Sequence, residues 1–240
     1  MPAKALITPL PAPACLPQGL RIYAIGDVHG CDLALAALHD LVSADLVARP
    51  VTRALLLHLG DYVDRGPDSA GVLGRLARPL PGLETLNLRG NHDQMMLDAL
   101  APGATEAQVS LWLLNGGVAT LESYGAAPRD RASWQRIPDA DLELLRGCPT
   151  CFEAGGYVFA HAGIRPGTPI ATQDPADLMW IREPFLSWRG SLPAVVVHGH
   201  TPAAAPEVRP HRIGLDTGAV FGGPLTCGVL EADRIVFLQV

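Results

Sequence analysis

No stretch of this chain strings together the ~20 apolar residues that a membrane-spanning helix needs, so no membrane partner is expected. Clusters of one charge are equally missing. Eighteen Lys and Arg face 24 Asp and Glu for a net charge of −6, and no basic patch stands out, so binding to nucleic acid through phosphate neutralisation is not expected either. The first twenty residues lack the uninterrupted apolar centre of a secretion signal, because five prolines break them up. Residues 1–20 therefore read as a flexible, proline-rich lead-in, with the folded domain over 21–240. The five cysteines are odd in number and scattered. Cys148 and Cys151 form a lone CxxC, and a zinc ribbon needs a second pair that is not there. Reduced thiols, and hence a cytoplasmic protein, are the expectation.

What the chain has is a rhythm of short apolar runs, each ending in a turn signal. "RIYAI", "ALLLHL" and "LETLNL" read as strands in the first third, "YVFA" and "AVVV" in the second half, and "RIGL", "LTCGVLE" and "RIVFLQV" near the end. Helical patterns separate the first three, over Asp32 to Val47 and Asp68 to Ala77, and a third runs from His92 to Ala99. Strand, loop, helix, strand is the pattern of an α/β protein, and the strand-rich end points to a mixed sheet or two packed sheets. Glu106 to Arg146 reads as helical, with turns at Asn115 to Gly117 and at "YGAAP".

The polar residues fall in a particular place. "GDVHG", "GDYVDRG", "GNHD", "HAG" and "HGHT" each follow an apolar run directly, where α/β sheets build their ligand sites. One such cluster is explained by a turn. Five clusters of Asp, Asn and His are not. Together, Asp27, His29, Asp61, Asn91, His161 and His200 offer carboxylate, amide and imidazole donors. That mixture suits a pair of divalent cations ~3.5–4 Å apart, with Asp61 placed to bridge them, and favours Mn, Fe or Zn over Mg alone. On an extended backbone Asp27 and His29, at i and i+2, point to one side.

In order, spacing and flanking glycines these motifs resemble those of the phosphoprotein phosphatases, a branch of the calcineurin-like metallophosphoesterases, from Gly26 to Thr201. The resemblance implies a β-sandwich of two mixed sheets flanked by helices, with two metals, most simply Mn, at one edge. By the same resemblance Asp27, His29 and Asp61 hold the first metal, and Asp61, Asn91, His161 and His200 the second. A hydroxide bridging the metals would attack phosphorus. His92 matches the proton donor to the leaving oxygen, and Asp64 the acid that orients it. Arg65 matches one phosphate clamp, and Arg182, in Trp180-Ile181-Arg182, the second. The ending "IGLDTGAVFGGPLTCGVLE" resembles bacterial members, as does the "W-x-x-NGG" of Trp112 to Gly117, which either lines the cleft or ends a helix.

Three functions compete. A phosphoserine or phosphothreonine phosphatase, acting on a phosphorylated protein or small phosphoester, leads because "GDYVDRG" is unbroken. A diadenosine tetraphosphate hydrolase of the same family is the alternative. A non-catalytic metal-binding scaffold has no use for His92 and Asp64. Of the remaining polar residues, His198 reads as the end of a strand, Asp216 as a turn former or a support behind the ligands, and His39, His58 and His211 as structural. The sequence leaves the oligomeric state open.

Overall fold

The computed structural model describes residues 4–240. Among these residues eleven strands form two sheets. The first has six strands in the order β1 (Lys4–Pro11), β11 (Arg234–Gln239), β10 (Thr226–Glu231), β2 (Leu20–Ile25), β3 (Arg53–His58) and β4 (Glu84–Asn87). The second has five, in the order β5 (Cys151–Ala154), β6 (Tyr157–Ala160), β7 (Val195–His198), β9 (Arg212–Gly214) and β8 (Glu207–Arg209).

The alternation of side chains sorts each strand between two environments. Ile22 and Ala24 of β2 join Leu55 and Leu57 of β3 against Phe159, Val197 and Ile213 of the opposite sheet, and this layer is the core of the sandwich. Tyr23, Ile25 and Leu56, half a pleat away, face outward onto α1 (Asp32–Ala48) and α2 (Ser69–Leu76). The same outer core includes residues of α3 (Asn91–Leu100), α4 (Glu106–Trp112), α5 (Val118–Ser123) and α6 (Asp139–Gly147). Val158, Ala160 and Val196 turn outward on the second sheet, beneath α7 (Pro175–Trp180) and Phe185. Two mixed sheets flanked by helices are what the motifs imply.

Strands β2, β3 and β4 run parallel, and so do β6, β7 and β9. Their carboxyl ends lie at one edge of the sandwich. Every polar cluster read from the sequence follows one of these strands, so the fold delivers all of them to one place.

The proline-rich lead-in is a correction. Residues 1–3 lie outside the described part, but Lys4–Pro11 is a strand paired antiparallel with β11, and Leu16 is buried. Proline is tolerated there because β1 is the edge strand of its sheet, and the register shifts between Leu6 and Leu10, around Pro9. Strands β5 and β8, short and with little alternation, also go beyond the sequence reading. The lone CxxC holds no partner cluster: Cys148 is buried with its thiol donating to the Leu144 carbonyl, and Cys151 lies in β5.

Candidate metal and phosphate site

Asp27, His29, Asp61, Arg65, Asn91, His92, Arg182 and His200 line one cleft of about 300 Å³. His161 is fully buried behind it and reaches the same centre through its contacts. Asp64 lies beneath His92 without exposed surface. The structure thus brings all ten residues singled out from the sequence into one locality.

The local backbone is unusual in a way that composition cannot show. Among the described residues, six other than glycine have positive φ, and five of them are His29, Asp61, Asp64, Arg65 and His200. Each such conformation costs free energy, and its concentration here marks a site built for function. It also corrects the extended-backbone picture of Asp27 and His29. With φ at 43°, His29 is turned into place by a left-handed residue and not by strand alternation. Asp27 needs a different accommodation. Its carboxylate accepts from the His200 N–H at 3.0 and 3.1 Å, and a Cβ on Gly199 would sit on Asp27 Oδ1, so only glycine allows that approach.

Two donor sets share Asp61. Its Oδ2 lies 3.4 Å from His29 Nε2, and its Oδ1 lies 3.3 Å from His161 Nε2. His29 faces the Val63 carbonyl through Nδ1 at 2.9 Å, and His161 faces the Leu59 carbonyl through Nδ1 at 3.0 Å. Carbonyls only accept, so both rings carry a hydrogen on Nδ1 and, in the neutral form that binds metal, turn a bare Nε2 toward Asp61. Asn91 Oδ1 then lies 2.9 Å from His161 Nε2 and 2.9 Å from His200 Nδ1. With His161 neutral, lone pairs of Asp61, Asn91 and His161 therefore converge on one buried point with no hydrogen between them. Such a point repels itself unless a proton or a cation fills it, and a divalent cation fits the donor set.

The electrostatics carry the same message. Burial lowers the pKa of His161, but the Asp61 and Asp27 carboxylates outweigh burial and push it up to about 10. A proton is drawn to the spot a metal would occupy. Burial holds His29 down to about 4 and His200 down to about 3, the latter helped by the charge on His161. Neutral imidazoles are what metals bind.

Beside this centre, His92 Nδ1 meets Asp64 Oδ2 at 2.7 Å, and the His92 N–H donates to Asp61 Oδ1 at 2.9 Å. The His92 ring also packs edge-on against His29 at 4.7 Å. With Nδ1 committed, the remaining nitrogen of His92 is Nε2. Arg65 Nη1 reaches His29 Nε2 at 2.7 Å, which puts its guanidinium within the cleft, and Arg182 lines the same cleft. Trp180 and Phe221 stand exposed at the mouth, with Arg65 over the Phe221 ring at 5.7 Å.

These features coincide with a family resemblance over nearly the whole chain. A family model described as calcineurin-like phosphoesterase matches residues 20–237. The chain belongs to that family. Similar proteins include serine/threonine-protein phosphatase 1 of Salmonella typhimurium, 34% identical over 88% of this chain and 92% of that one. A symmetrical bis(5'-nucleosyl)-tetraphosphatase of Nitrosospira multiformis is 29% identical over 91% and 95%. Among solved structures, that of a candidate diadenosine tetraphosphatase covers 91% of this chain and 93% of its own, with a TM-score of 0.65 at 27% identity. This calcineurin-like phosphoesterase is a hydrolase, and its donor clusters fit the divalent metal ions such enzymes use.

Other polar residues resolve as follows. His198 ends β7, packs on Phe185 with ring centres 5.1 Å apart, and does not line the cleft. Asp216 lines the cleft and accepts from the Gly218 N–H at 2.9 Å, closing a turn. One residue that supports the site escaped the sequence reading. Asp93, the last letter of "GNHD", is fully buried and accepts from the N–H groups of Gly90, Asp61 and Tyr62 at 2.8, 2.9 and 2.9 Å. It ties the loop carrying Asp61 to the start of α3. An acid completing a block of candidate site residues was the available signal.

Proposed function

We propose that this enzyme hydrolyses phosphomonoesters, with phosphoserine and phosphothreonine in proteins as the preferred class. In this reading Asp27, His29 and Asp61 hold one divalent cation, and Asp61, Asn91, His161 and His200 hold a second, with Mn the best match. The cations would supply positive charge to the phosphoryl oxygens and acidify water at neutral pH. Arg65 and Arg182 grip the phosphoryl group with planar forks of donors matched to its oxygens. His92, held through Nδ1–H by Asp64, acts as the imidazolium and gives its Nε2 proton to the leaving oxygen as the P–O bond breaks, which leaves it the neutral Nδ1–H tautomer. A scaffold without turnover would have no use for that pair.

The observation that carries the choice of substrate is the fate of the other arginines near the motifs. Arg89 is spent on the carbonyls of Leu145, Arg146 and Cys148 and on Gln94. Arg165 forms a two-point pair with Asp177 at 2.6 and 2.5 Å. Neither lines the cleft, whereas Asp216 does. Two guanidiniums match one phosphoryl group. A chain of four phosphates would call for more positive charge.

A second reading, hydrolysis of dinucleoside polyphosphates, is favoured by a different observation. Exposed Trp180 and Phe221 at the mouth offer flat surfaces on which a nucleobase can stack. The two readings are separated by kcat/KM for a phosphoserine peptide and for diadenosine tetraphosphate on one Mn-loaded preparation. The proposal expects the peptide to be preferred. A tenfold preference for the dinucleotide would replace it with the second reading.

A further inference from the structure

Asp64 makes contacts that its partnership with His92 does not use. Its Oδ2 takes the His92 Nδ1–H, while its Oδ1 accepts from the indole Nε1 of Trp112 at 2.9 Å and from the hydroxyl of Thr120 at 2.7 Å. The Asp64 N–H in turn donates to Thr120 Oγ1 at 2.8 Å. All four side chains are buried to within 1% of their surface. One oxygen is therefore saturated by two donors, and the other is left for a single imidazole.

The segment that supplies these donors is shaped for the purpose. Trp112 ends α4, and the chain then passes through a wide helical turn over Leu113–Gly117 before α5 brings Thr120. Gly116 lies at φ 113° and accepts the Arg65 N–H through its carbonyl at 3.1 Å, and a Cβ there would strike Arg65 at 2.7 Å. A Cβ on Gly117 would lie 2.6 Å from the Trp112 indole. Trp134 closes the indole's other side edge-on at 5.7 Å. The "W-x-x-NGG" turn thus grips both ends of the Asp64–Arg65 pair, whose left-handed backbone would not hold itself in place.

We propose that Trp112 and Thr120 are positioning residues for proton transfer. By saturating Asp64 Oδ1 they fix the plane of the carboxylate, so that its Oδ2 holds His92 Nδ1–H and His92 Nε2 is aimed at the leaving oxygen. This rests on the reading of His92 as proton donor. In the step itself His92 starts as the imidazolium; its Nε2–H bond breaks, the proton joins the leaving oxygen, which takes the electrons of the broken P–O bond, and the ring is left as the neutral Nδ1–H tautomer. Water supplies the new P–O bond and its protons stay with the phosphate product, and Asp64 stays an anion throughout.

The test uses Trp112→Phe, which keeps a ring in place but deletes the N–H, and Thr120→Val, which deletes only the hydroxyl, beside His92→Ala. Each is assayed with a phosphoserine peptide, whose alkoxide needs a proton, and with 2,4-dinitrophenyl phosphate, whose phenolate does not. Trp112→Phe and Thr120→Val are expected to lower kcat on the peptide about tenfold with KM unchanged, and to leave the dinitrophenyl ester within a factor of about two. The Trp112→Phe, His92→Ala double variant should be no slower than His92→Ala alone, since both act on one proton. A readout free of turnover is the downfield proton resonance of His92 Nδ1–H in the metal-free protein, which should shift or broaden in both positioning variants. If Trp112→Phe does not fold, Thr120→Val decides the matter by itself. Equal losses on both esters, or additive losses in the double variant, would overturn the inference while leaving His92 as donor. Loss of the leaving-group effect in His92→Ala itself would overturn the reading of His92, and the inference with it.

Discussion

Asp61 is the side chain on which both donor sets depend, because its two oxygens face His29 and His161 separately. His92 stands next to it without being one of the six proposed ligands, which gives a clean distinction. His92→Ala should retain metal and lose kcat by ~10²–10⁴ with KM little changed, with the loss shrinking for acidic leaving groups. Metal analysis of the purified variant checks the first half, and loss of metal would make His92 a ligand. Asp93 should matter through the fold. Asp93→Asn turns an amide N–H₂ toward backbone donors, leaving one of them buried and unpaired, and should cost about 2 kcal/mol in urea unfolding. The candidate donors, which the fold brings together, were legible as residues because metals demand a few donor types in glycine-bounded turns. The partners that hold those residues were not. Trp112 and Thr120 lie 48 and 56 residues from Asp64, and nothing in local spacing announces such a contact.

Elements with strong periodicity were readable, and those that depend on a distant partner were not. Helix α1 was predicted over Asp32 to Val47 and runs Asp32–Ala48. Strand β1 was read as part of a flexible, proline-rich lead-in, and its place at the sheet edge is what makes its prolines harmless in a strand. His39 of α1 and His58 of β3 read as unrelated structural residues, yet their Nε2 atoms meet at 2.9 Å in the core. Asn87 Oδ1 accepts the His58 Nδ1–H at 2.8 Å, so His58 Nε2 must accept from His39. The pair functions only while neutral, and burial holds His39 down to about 4 and His58 down to about 3. Unfolded imidazoles titrate near ~6.5 and so bind protons first. The stabilising contribution is complete above that pH and is lost as pH falls toward the folded values, by up to ~1.4 kcal/mol per pH unit for each ring. Urea midpoints between pH 7.5 and 5 should therefore fall. The fall should be shallower in a His39→Gln, His58→Gln double variant that still folds, and an equal slope would remove this pair from the account.

The whole molecule is two sheets pressed together so that six parallel strand ends open at one edge. That convergence was legible as a pattern, since every cluster followed an apolar run. Which sheet each strand joins was not, because pairing is settled by packing across the sandwich. Metal should stabilise the whole fold as well as activate it. A chelated sample should lose turnover, regain it on adding Mn²⁺, and show a melting temperature that climbs with Mn²⁺ concentration, about 2.7 kcal/mol per site at 100 times the dissociation constant. A melting temperature indifferent to metal would mean that the folded protein does not bind it. The most direct test of the central claim is the anomalous difference map of a Mn-soaked crystal. The account predicts two peaks ~3.5–4 Å apart with the Asp61 carboxylate between them, one beside Asp27 and His29 and the other beside Asn91, His161 and His200. A single fully occupied ion, or two ions neither of which touches Asp61, would contradict it.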